Sequence, residues 1–205
     1  MIIVECEQKS EAWFQNRLGR ITGTRFKFLM AKESTKTYKD LILDLAGEII
    51  TQEVEESYTN DIMQRGIDLE PEARKEYENI FDCKVDEVGF VIPEGENKYH
   101  EWIGVSPDGL TGKGMIEIKC PLLKTHLSYI NVGKLPNEYY YQVQGQLFVT
   151  GLDYCDFMSY YPGLKPFILR VYPDKKTFAE FESRLDDAIE LVKIQLEKYN
   201  NYTYL

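Results

Sequence analysis

The order of helical and strand-forming segments predicts a mixed α/β domain with a central mixed sheet flanked by helices. Two observations carry this prediction. Helical segments fill the first 81 residues, and strands then alternate with helices along the rest of the chain. At 205 residues the chain is long enough for one domain with a substantial core and short for two. There is no internal repeat or low-complexity linker, and we expect one domain over residues 1–205.

Apolar residues at helical spacing, with local start and stop signals, define the helices. Ser10 can cap the first helix, which runs through Trp13 and ends at Gly19. Further helices are predicted over residues 21–30, 37–55, 60–81, 138–149 and 177–199. Gly66 and Pro71 are expected to break or bend the helix over residues 60–81, so that Pro71 lies in a first helical turn.

Short runs of β-branched and aromatic residues between Gly and Pro define the strands. They are predicted over residues 85–92, 100–105, 115–119, 154–160 and 167–172. The second and third strands are expected to pair as a hairpin, because a Pro-Asp-Gly turn and two further glycines lie between them.

The hairpin carries the residues with the clearest chemistry. Side chains alternate along a strand, so Glu117 and Lys119 share one face. If Asp108 lies beside Glu117, the two carboxylates form a hard oxygen site suited to Mg²⁺, and the Ile118 carbonyl can complete it. A cation there would polarise a phosphodiester and activate water, while Lys119 orients the nucleophile or neutralises developing charge. The alternative is an ordinary turn followed by a solvated Glu-Lys pair.

Two further segments can extend such a site. Glu70 precedes Pro71, and its carboxylate could point into a cleft as another metal ligand; alone it is an ordinary exposed glutamate. Tyr139, Gln142 and Gln146 fall on one helical face, which fits either a lined cleft or a solvated face.

A phosphate pocket is predicted near the first helix. Backbone N–H groups at the start of the second helix, beside Thr22 and Thr24, lie close in sequence to Arg17 and Arg25. Plain N-capping by either threonine is the alternative.

Composition limits the function classes. The net charge of −10 argues against a nucleic-acid binder with a broad basic face, so any positive groove must be local. The basic residues of the N-terminal third are candidates for it: Arg17, Arg20, Arg25, Lys27, Lys32, Lys36 and Lys39. No apolar run of about 18 residues and no leader pattern is present, so we expect a cytoplasmic protein without a membrane span.

The four cysteines are widely scattered, and neither histidine pairs with them at zinc spacing. They are Cys6, Cys83, Cys120 and Cys155. We expect reduced, mostly buried thiols; an iron–sulfur cluster built from distant segments stays open but lacks closely spaced ligands.

Five ordered blocks of the chain resemble the PD-(D/E)xK nuclease superfamily, and most closely the phage-type, lambda-exonuclease-like alkaline exonucleases. The blocks are Arg-Leu-Gly-Arg-Ile-Thr-Gly-Thr at 17–24, Gly-x-x-x-Glu-x-x-Ala-Arg at 66–74, Ser-Pro-Asp-Gly-Leu at 106–110, Glu-Ile-Lys-Cys-Pro at 117–121 and Tyr-x-x-Gln-Val-Gln at 139–144. The resemblance spans residues 13–172 and implies a restriction-endonuclease-like core.

The resemblance also implies roles for single residues. The implied catalytic set is Asp108, Glu117, Lys119 and Gln142, with metal held by Glu70, Asp108, Glu117 and the Ile118 carbonyl. Arg17, Thr24 and Ser106 would bind the terminal 5′-phosphate of linear duplex DNA. Family members digest one strand from its 5′ end to mononucleotides with two Mg²⁺ or Mn²⁺ ions. Some form trimeric rings and work with a single-strand-annealing protein, in the host cytoplasm when phage-encoded.

Departures from the family pattern keep other readings open. The chain is short for the family, and no residues between 32 and 65 match its strand-separating wedge or minor-groove arginine. An endonuclease, a CRISPR-adaptation-type nuclease of the same superfamily, and a non-catalytic DNA-end-binding module are the alternatives. The scattered cysteines count against the CRISPR-type branch, whose members carry a four-cysteine cluster.

Overall fold

A computed structural model describes residues 1–53 and 61–203 of the chain. The helices are α1 (Glu11–Arg17), α2 (Phe26–Leu29), α3 (Lys36–Thr51), α4 (Asp61–Phe81), α5 (Leu123–Val132), α6 (Asn137–Thr150) and α7 (Lys175–Asn200). The strands are β1 (Ile2–Val4), β2 (Phe90–Ile92), β3 (Gly109–Thr111), β4 (Gly114–Lys119), β5 (Tyr154–Ser159) and β6 (Phe167–Val171). A 3-10 turn over Gly23–Arg25 leads into α2.

The main sheet has four strands in the order β3-β4-β5-β6. β3 and β4 form an antiparallel hairpin, β4 and β5 are parallel, and β5 and β6 are antiparallel. The parallel pair needs a crossover, which α5 and α6 supply. This is the predicted mixed sheet with flanking helices. β1 and β2 form a separate two-stranded sheet.

The two faces of β4 pack against different helices. Ile116 and Ile118 belong to a cluster with Ala73 and Tyr77 of α4. Met115, two positions from Glu117 and therefore on the same face of the strand, belongs to the larger cluster that includes residues of α2, α3, α6 and α7. The strand is therefore covered on both sides, and Glu117 lies beneath α6.

The predicted hairpin is placed correctly in its second strand and wrongly in its first. Residues 100–105 form turns and isolated bridges instead of a strand, since Trp102 and Ile103 both donate to the Tyr99 carbonyl. The hairpin partner of β4 is β3, which begins just after Asp108. The predicted strand over 85–92 is likewise reduced to β2, with an isolated bridge at Asp86.

The helix containing Pro71 also differs from expectation. α4 is continuous over Asp61–Phe81, with Pro71 in its interior and not in a first turn. Proline costs one helical hydrogen bond, and burial of Ala73 and Tyr77 against the sheet offsets that cost. The predicted ends of helices at residues 55 and 60 lie outside the described residues.

Three smaller differences complete the comparison of elements. The predicted helix over 21–30 is the 3-10 turn followed by the four-residue α2. Helix α5 and strand β1 were not predicted.

In the part of the chain that the structure describes, no helix is both long and apolar enough to cross a bilayer.

Candidate active site

Glu117 is a buried carboxylate with both oxygens engaged. Its side chain is 1% exposed. Oε1 accepts from the Gln142 Nε2 at 2.5 Å and from the Lys119 ammonium, and Oε2 accepts from the Gln146 Nε2 at 2.7 Å. A buried charge needs such partners, and hydrogen bonds to an ion are the strong ones. Strand β4 and helix α6 therefore fix the orientation of this carboxylate jointly.

Asp108 lies beside Glu117, as predicted, but it is held by the edge of β4 and not by a strand of its own. Its Oδ2 accepts from the Ile118 N–H at 2.6 Å, and its N–H donates to the Ile116 carbonyl at 3.2 Å. Burial and then the neighbouring Glu117 carboxylate raise the pKa of Asp108 well above its usual range. The two acids repel one another at short range.

The Ile118 carbonyl lies at the same edge of the sheet. The N–H and C=O of one strand residue point to the same side, and the Ile118 N–H faces Asp108. The next carbonyl, that of Lys119, points the other way and accepts from Tyr160 of β5's continuation at 2.8 Å. The predicted third oxygen therefore lies on the carboxylate side.

The Lys119 ammonium lies next to the Glu117 and Asp108 carboxylates. The side chain is 25% exposed, and its Nζ lies 5.2 Å from the centre of the Tyr139 ring. Burial lowers the pKa of Lys119, but the Glu117 and Asp108 carboxylates outweigh burial and raise it overall. The charged form is favoured, which suits an electrostatic and orienting role better than that of a base.

Glu70 lies on α4, near the Asp108 and Glu117 carboxylates, and is bound by Arg74. Arg74 donates to the Glu70 Oε1 at 2.8 Å and to the Asp108 carbonyl at 3.1 Å, and it pairs with Glu87 at 2.7 Å. Burial raises the pKa of Glu70, while Arg74 opposes that rise. Arg74, which sequence reasoning did not single out, thus ties α4 to the loop that carries Asp108.

The donor set fits a small divalent cation. Among the described residues, no three His, Cys, Asp or Glu side chains are close enough together to form a ready metal cage. The available oxygen ligands are the Asp108 and Glu117 carboxylates and the Ile118 carbonyl. This set suits Mg²⁺, which takes few protein ligands together with water and substrate oxygens. A cation would also relieve the repulsion between Asp108 and Glu117. Participation by Glu70 stays a prediction.

Two of the three predicted phosphate residues, Arg17 and Ser106, contact the same indole, that of Trp13. The Arg17 guanidinium stacks 3.9 Å from the Trp13 ring centre, and the Trp13 Nε1 donates to the Ser106 Oγ at 2.9 Å. Burial and then the nearby Arg25 charge lower the pKa of Arg17 to about 10. Two guanidinium groups are thus held close together, although Arg25 is itself bound to Glu48.

Thr24 lies in a turn that packs against α6. It is exposed in the 3-10 turn beside Gly23. A Cβ at Gly23 would lie 3.6 Å from the Gln146 Cγ and 3.7 Å from the Gln142 Cγ, so this turn rests on the same face of α6 that holds Glu117. The structure therefore places the turn against the carboxylate site, while Trp13 connects Arg17 to Ser106.

Gln146 is a further candidate for a functional residue, because its side chain donates to Glu117. The sequence places it on one helical face with Tyr139 and Gln142, but the predicted site residues do not include it. Its side chain is 1% exposed, and its Oε1 is buried without a hydrogen-bond partner among the described residues. The spacing of four residues from Gln142 was the available signal.

Comparison with known families and structures identifies the domain. Residues 12–153, more than half of the chain, match the model of the YqaJ-like viral recombinase domain. The chain belongs to this family. The YqaJ-like domain here has the fold of LHK-Exo, an alkaline exonuclease from Laribacter hongkongensis, with a TM-score of 0.83 and 34% identity over 93% of this chain and 96% of that chain. LHK-Exo in complex with dAMP gives the same TM-score at 35% identity, over the same shares of the two chains.

Two further proteins are similar to this chain at lower sequence identity. A phage related exonuclease from Haemophilus somnus shares the fold, with a TM-score of 0.65 and 14% identity over 88% of this chain and 96% of that chain. An uncharacterized protein of Acanthamoeba polyphaga mimivirus is 28% identical in an alignment 174 residues long, which covers 77% of this chain and 30% of that protein. The YqaJ-like chain thus spans about a third of this viral relative. The expected resemblance to phage-type alkaline exonucleases is confirmed.

Proposed function

We propose that the protein is an Mg²⁺-dependent exonuclease that digests one strand of linear double-stranded DNA from its 5′ end. Membership of the YqaJ-like family and the likeness to LHK-Exo support a nuclease acting on DNA. The observation that carries the finer proposal is the buried Glu117 carboxylate, which lies beside Asp108 and Lys119 and is bound by the helix that adjoins the Thr24 turn.

The metal-ion chemistry would be supplied at the oxygen cluster. Asp108, Glu117 and the Ile118 carbonyl would hold Mg²⁺, with Glu70 assisting and Mn²⁺ able to substitute. Two such ions, when bound, would polarise the scissile phosphate and lower the pKa of the attacking water.

The chain's own side chains supply orientation and charge. Gln142 and Lys119 flank Glu117 Oε1 and can hold the attacking water in line with the phosphorus. The Lys119 ammonium stabilises negative charge that develops on the phosphate oxygens. Gln146 keeps the Glu117 carboxylate from rotating by occupying its second oxygen. These roles account for the residue type found at each position.

The 5′ polarity follows from the proposed phosphate pocket. Arg17 and Ser106 are joined through Trp13, and Ser106 lies two residues before Asp108. A terminal phosphate bound by Arg17, Ser106 and Thr24 would leave the first phosphodiester bond at the carboxylates. The products would be mononucleotides and a 3′ single-stranded tail.

Assembly and partners belong to the same proposal. A homotrimeric ring threaded by DNA would accommodate the net charge of −10, because positive charge need only line the channel while an acidic exterior repels other DNA. A single-strand-annealing protein would take up the 3′ tail.

The experiment compares substrate topologies. The protein is incubated with 5′-phosphorylated linear duplex or closed circular duplex in Mg²⁺, in EDTA, and as the Lys119→Ala variant. We expect mononucleotides from linear DNA in Mg²⁺ alone, and none from the variant. Cleavage of the circle would indicate an endonuclease. Binding of ends without hydrolysis would indicate a non-catalytic module.

A further inference from the structure

Lys9 has an unusual backbone for its position. Its φ is +69°, in the left-handed region where a Cβ carries a steric cost. Among the described residues, only Gln52 and Asp82 share a positive φ without being glycine. Gln52 caps the C-terminus of α3, and Asp82 directly follows α4, where this conformation is ordinary. Lys9 instead precedes a helix, so helix termination does not explain it.

The turn that contains Lys9 is fixed on both sides. Before it, the Gln8 Nε2 donates to the Val88 carbonyl at 2.9 Å and to the Pro107 carbonyl at 3.3 Å. After it, the Ser10 Oγ caps α1 by accepting from the Trp13 N–H at 3.2 Å. One neighbour is thus bound next to Asp108, and the other begins the helix that carries Arg17. Lys9 lies between the carboxylate cluster and the phosphate pocket.

The Lys9 side chain is charged, exposed and unpaired. It is solvent-exposed, and its ammonium forms no salt bridge with any carboxylate in residues 1–53 or 61–203. The turn brings the residue close to the acids, because the side chain of the preceding Gln8 donates to the Pro107 carbonyl, which directly precedes Asp108. Lysine has a flexible four-carbon stem, so the Lys9 ammonium can reach an anion bound beside Asp108.

We propose that Lys9 binds a backbone phosphate of the DNA at the mouth of the active site. This inference rests on the proposed function. Glu70, Asp108 and Glu117 repel a polyanion, and a free ammonium at their rim offsets that repulsion where the strand enters. The left-handed conformation keeps Lys9 in the turn between the carboxylate cluster and the phosphate pocket despite the backbone cost.

The test separates backbone strain from side-chain function. Lys9→Gly removes the ammonium and also relieves the strained φ, whereas Lys9→Arg keeps the charge. Lys113→Ala is the matched control, because Lys113 is also exposed but lies in the β3–β4 turn, at the opposite end of β4 from Lys119. Affinity for 5′-phosphorylated duplex is measured by anisotropy in EDTA across a salt series, alongside the Tm of each variant.

One phosphate contact contributes about −0.9 to the slope of log K against log salt. A variant that lacks the contact should therefore bind more weakly than the wild type, and the ratio of the two binding constants should be about eightfold larger at 0.1 M salt than at 1 M. We expect weaker binding and a shallower salt slope for Lys9→Gly, with a Tm at or above that of the wild type. Lys9→Arg and Lys113→Ala should keep the wild-type affinity and slope. Wild-type affinity and slope in Lys9→Gly, or a lowered Tm that accounts for weaker binding, would overturn the inference. If the wild type itself binds no DNA, the proposed function fails as well.

Discussion

Replacing Gln146 by methionine should separate activity from stability. Gln146 donates to the Glu117 Oε2 at 2.7 Å, while its own Oε1 is buried and unpartnered. Methionine fills a similar volume without either polar atom. The change therefore removes one favourable contact and one unfavourable group from the same place.

The two effects on stability are of similar size. A hydrogen bond to a charged group contributes about 1.5–3 kcal/mol, and a buried unsatisfied acceptor costs about 1–3 kcal/mol. We therefore expect the free energy of unfolding of Gln146→Met to stay within about 1.5 kcal/mol of the wild type. Activity should fall about 10- to 100-fold, because the Glu117 carboxylate loses a partner that orients it.

Gln144 provides the matched control on the same helix. It is also 1% exposed, but its Nε2 donates to the Tyr172 carbonyl and its Oε1 accepts from the Asp174 N–H, both at 2.9 Å. Gln144→Met leaves two backbone groups unpaired, so it should lose about 1–3 kcal/mol of stability while keeping its activity per folded molecule.

The assay is single-turnover digestion of 5′-phosphorylated duplex, paired with urea unfolding of both variants. The reasoning is refuted if Gln146→Met digests DNA within threefold of the wild-type rate. It is also refuted if the two variants lose stability and activity in the same proportion.

Other perturbations test separate parts of the structure. Arg17→Ala should abolish the preference for a 5′-phosphate over a 5′-hydroxyl end, as measured by initial rates on the two substrates; a retained preference would remove Arg17 from the pocket. Gly145→Ala should lower the free energy of unfolding, measured by urea denaturation, by about 1–3 kcal/mol, because its Cβ would lie 2.3 Å from the Phe26 ring, whereas Gly47→Ala, with nothing within 4 Å, should not. Hydrogen bonds from Tyr140 and from the start of α7 lower the pKa of Asp174, so its charged form adds stability above the unfolded pKa of about 3.9 that is lost as pH falls through the lower folded value. The Tm of Asp174→Asn relative to the wild type should therefore rise from pH 6 to pH 2; a constant difference would contradict this assignment.

The shared face of Glu117 and Lys119 on β4 was predictable from the sequence because strand alternation is a local rule. The two side chains share a face whichever strand pairs with β4, and both lie against α6: Glu117 accepts from Gln142, and the Lys119 ammonium lies over the Tyr139 ring. The position of Asp108 beside Glu117 was also predicted, although for a hairpin strand that does not form. Asp108 instead directly precedes β3 and is held against β4 by hydrogen bonds with Ile116 and Ile118.

Other features depended on tertiary contacts that no local pattern reveals. Helix α5 lacks a side-chain N-cap at Leu122 and exposes Leu123 and Leu127, so neither a start signal nor a clean amphipathic stripe marks it. Pro71 is tolerated inside α4 because the helix is packed on the sheet. The link from Arg74 to the Asp108 carbonyl joins residues 34 positions apart.

The position of a released label tests the central claim most directly. One duplex carries its label on the 5′-terminal nucleotide and a second carries it on the 3′-terminal nucleotide of the same strand, and both are digested in Mg²⁺ by the wild type and by Glu117→Gln. The 5′ label should appear first, as a mononucleotide, and Glu117→Gln should release neither label. Early release of the 3′ label, labelled oligonucleotides from internal cuts, or an active Glu117→Gln variant would contradict a 5′-to-3′ exonuclease centred on Glu117.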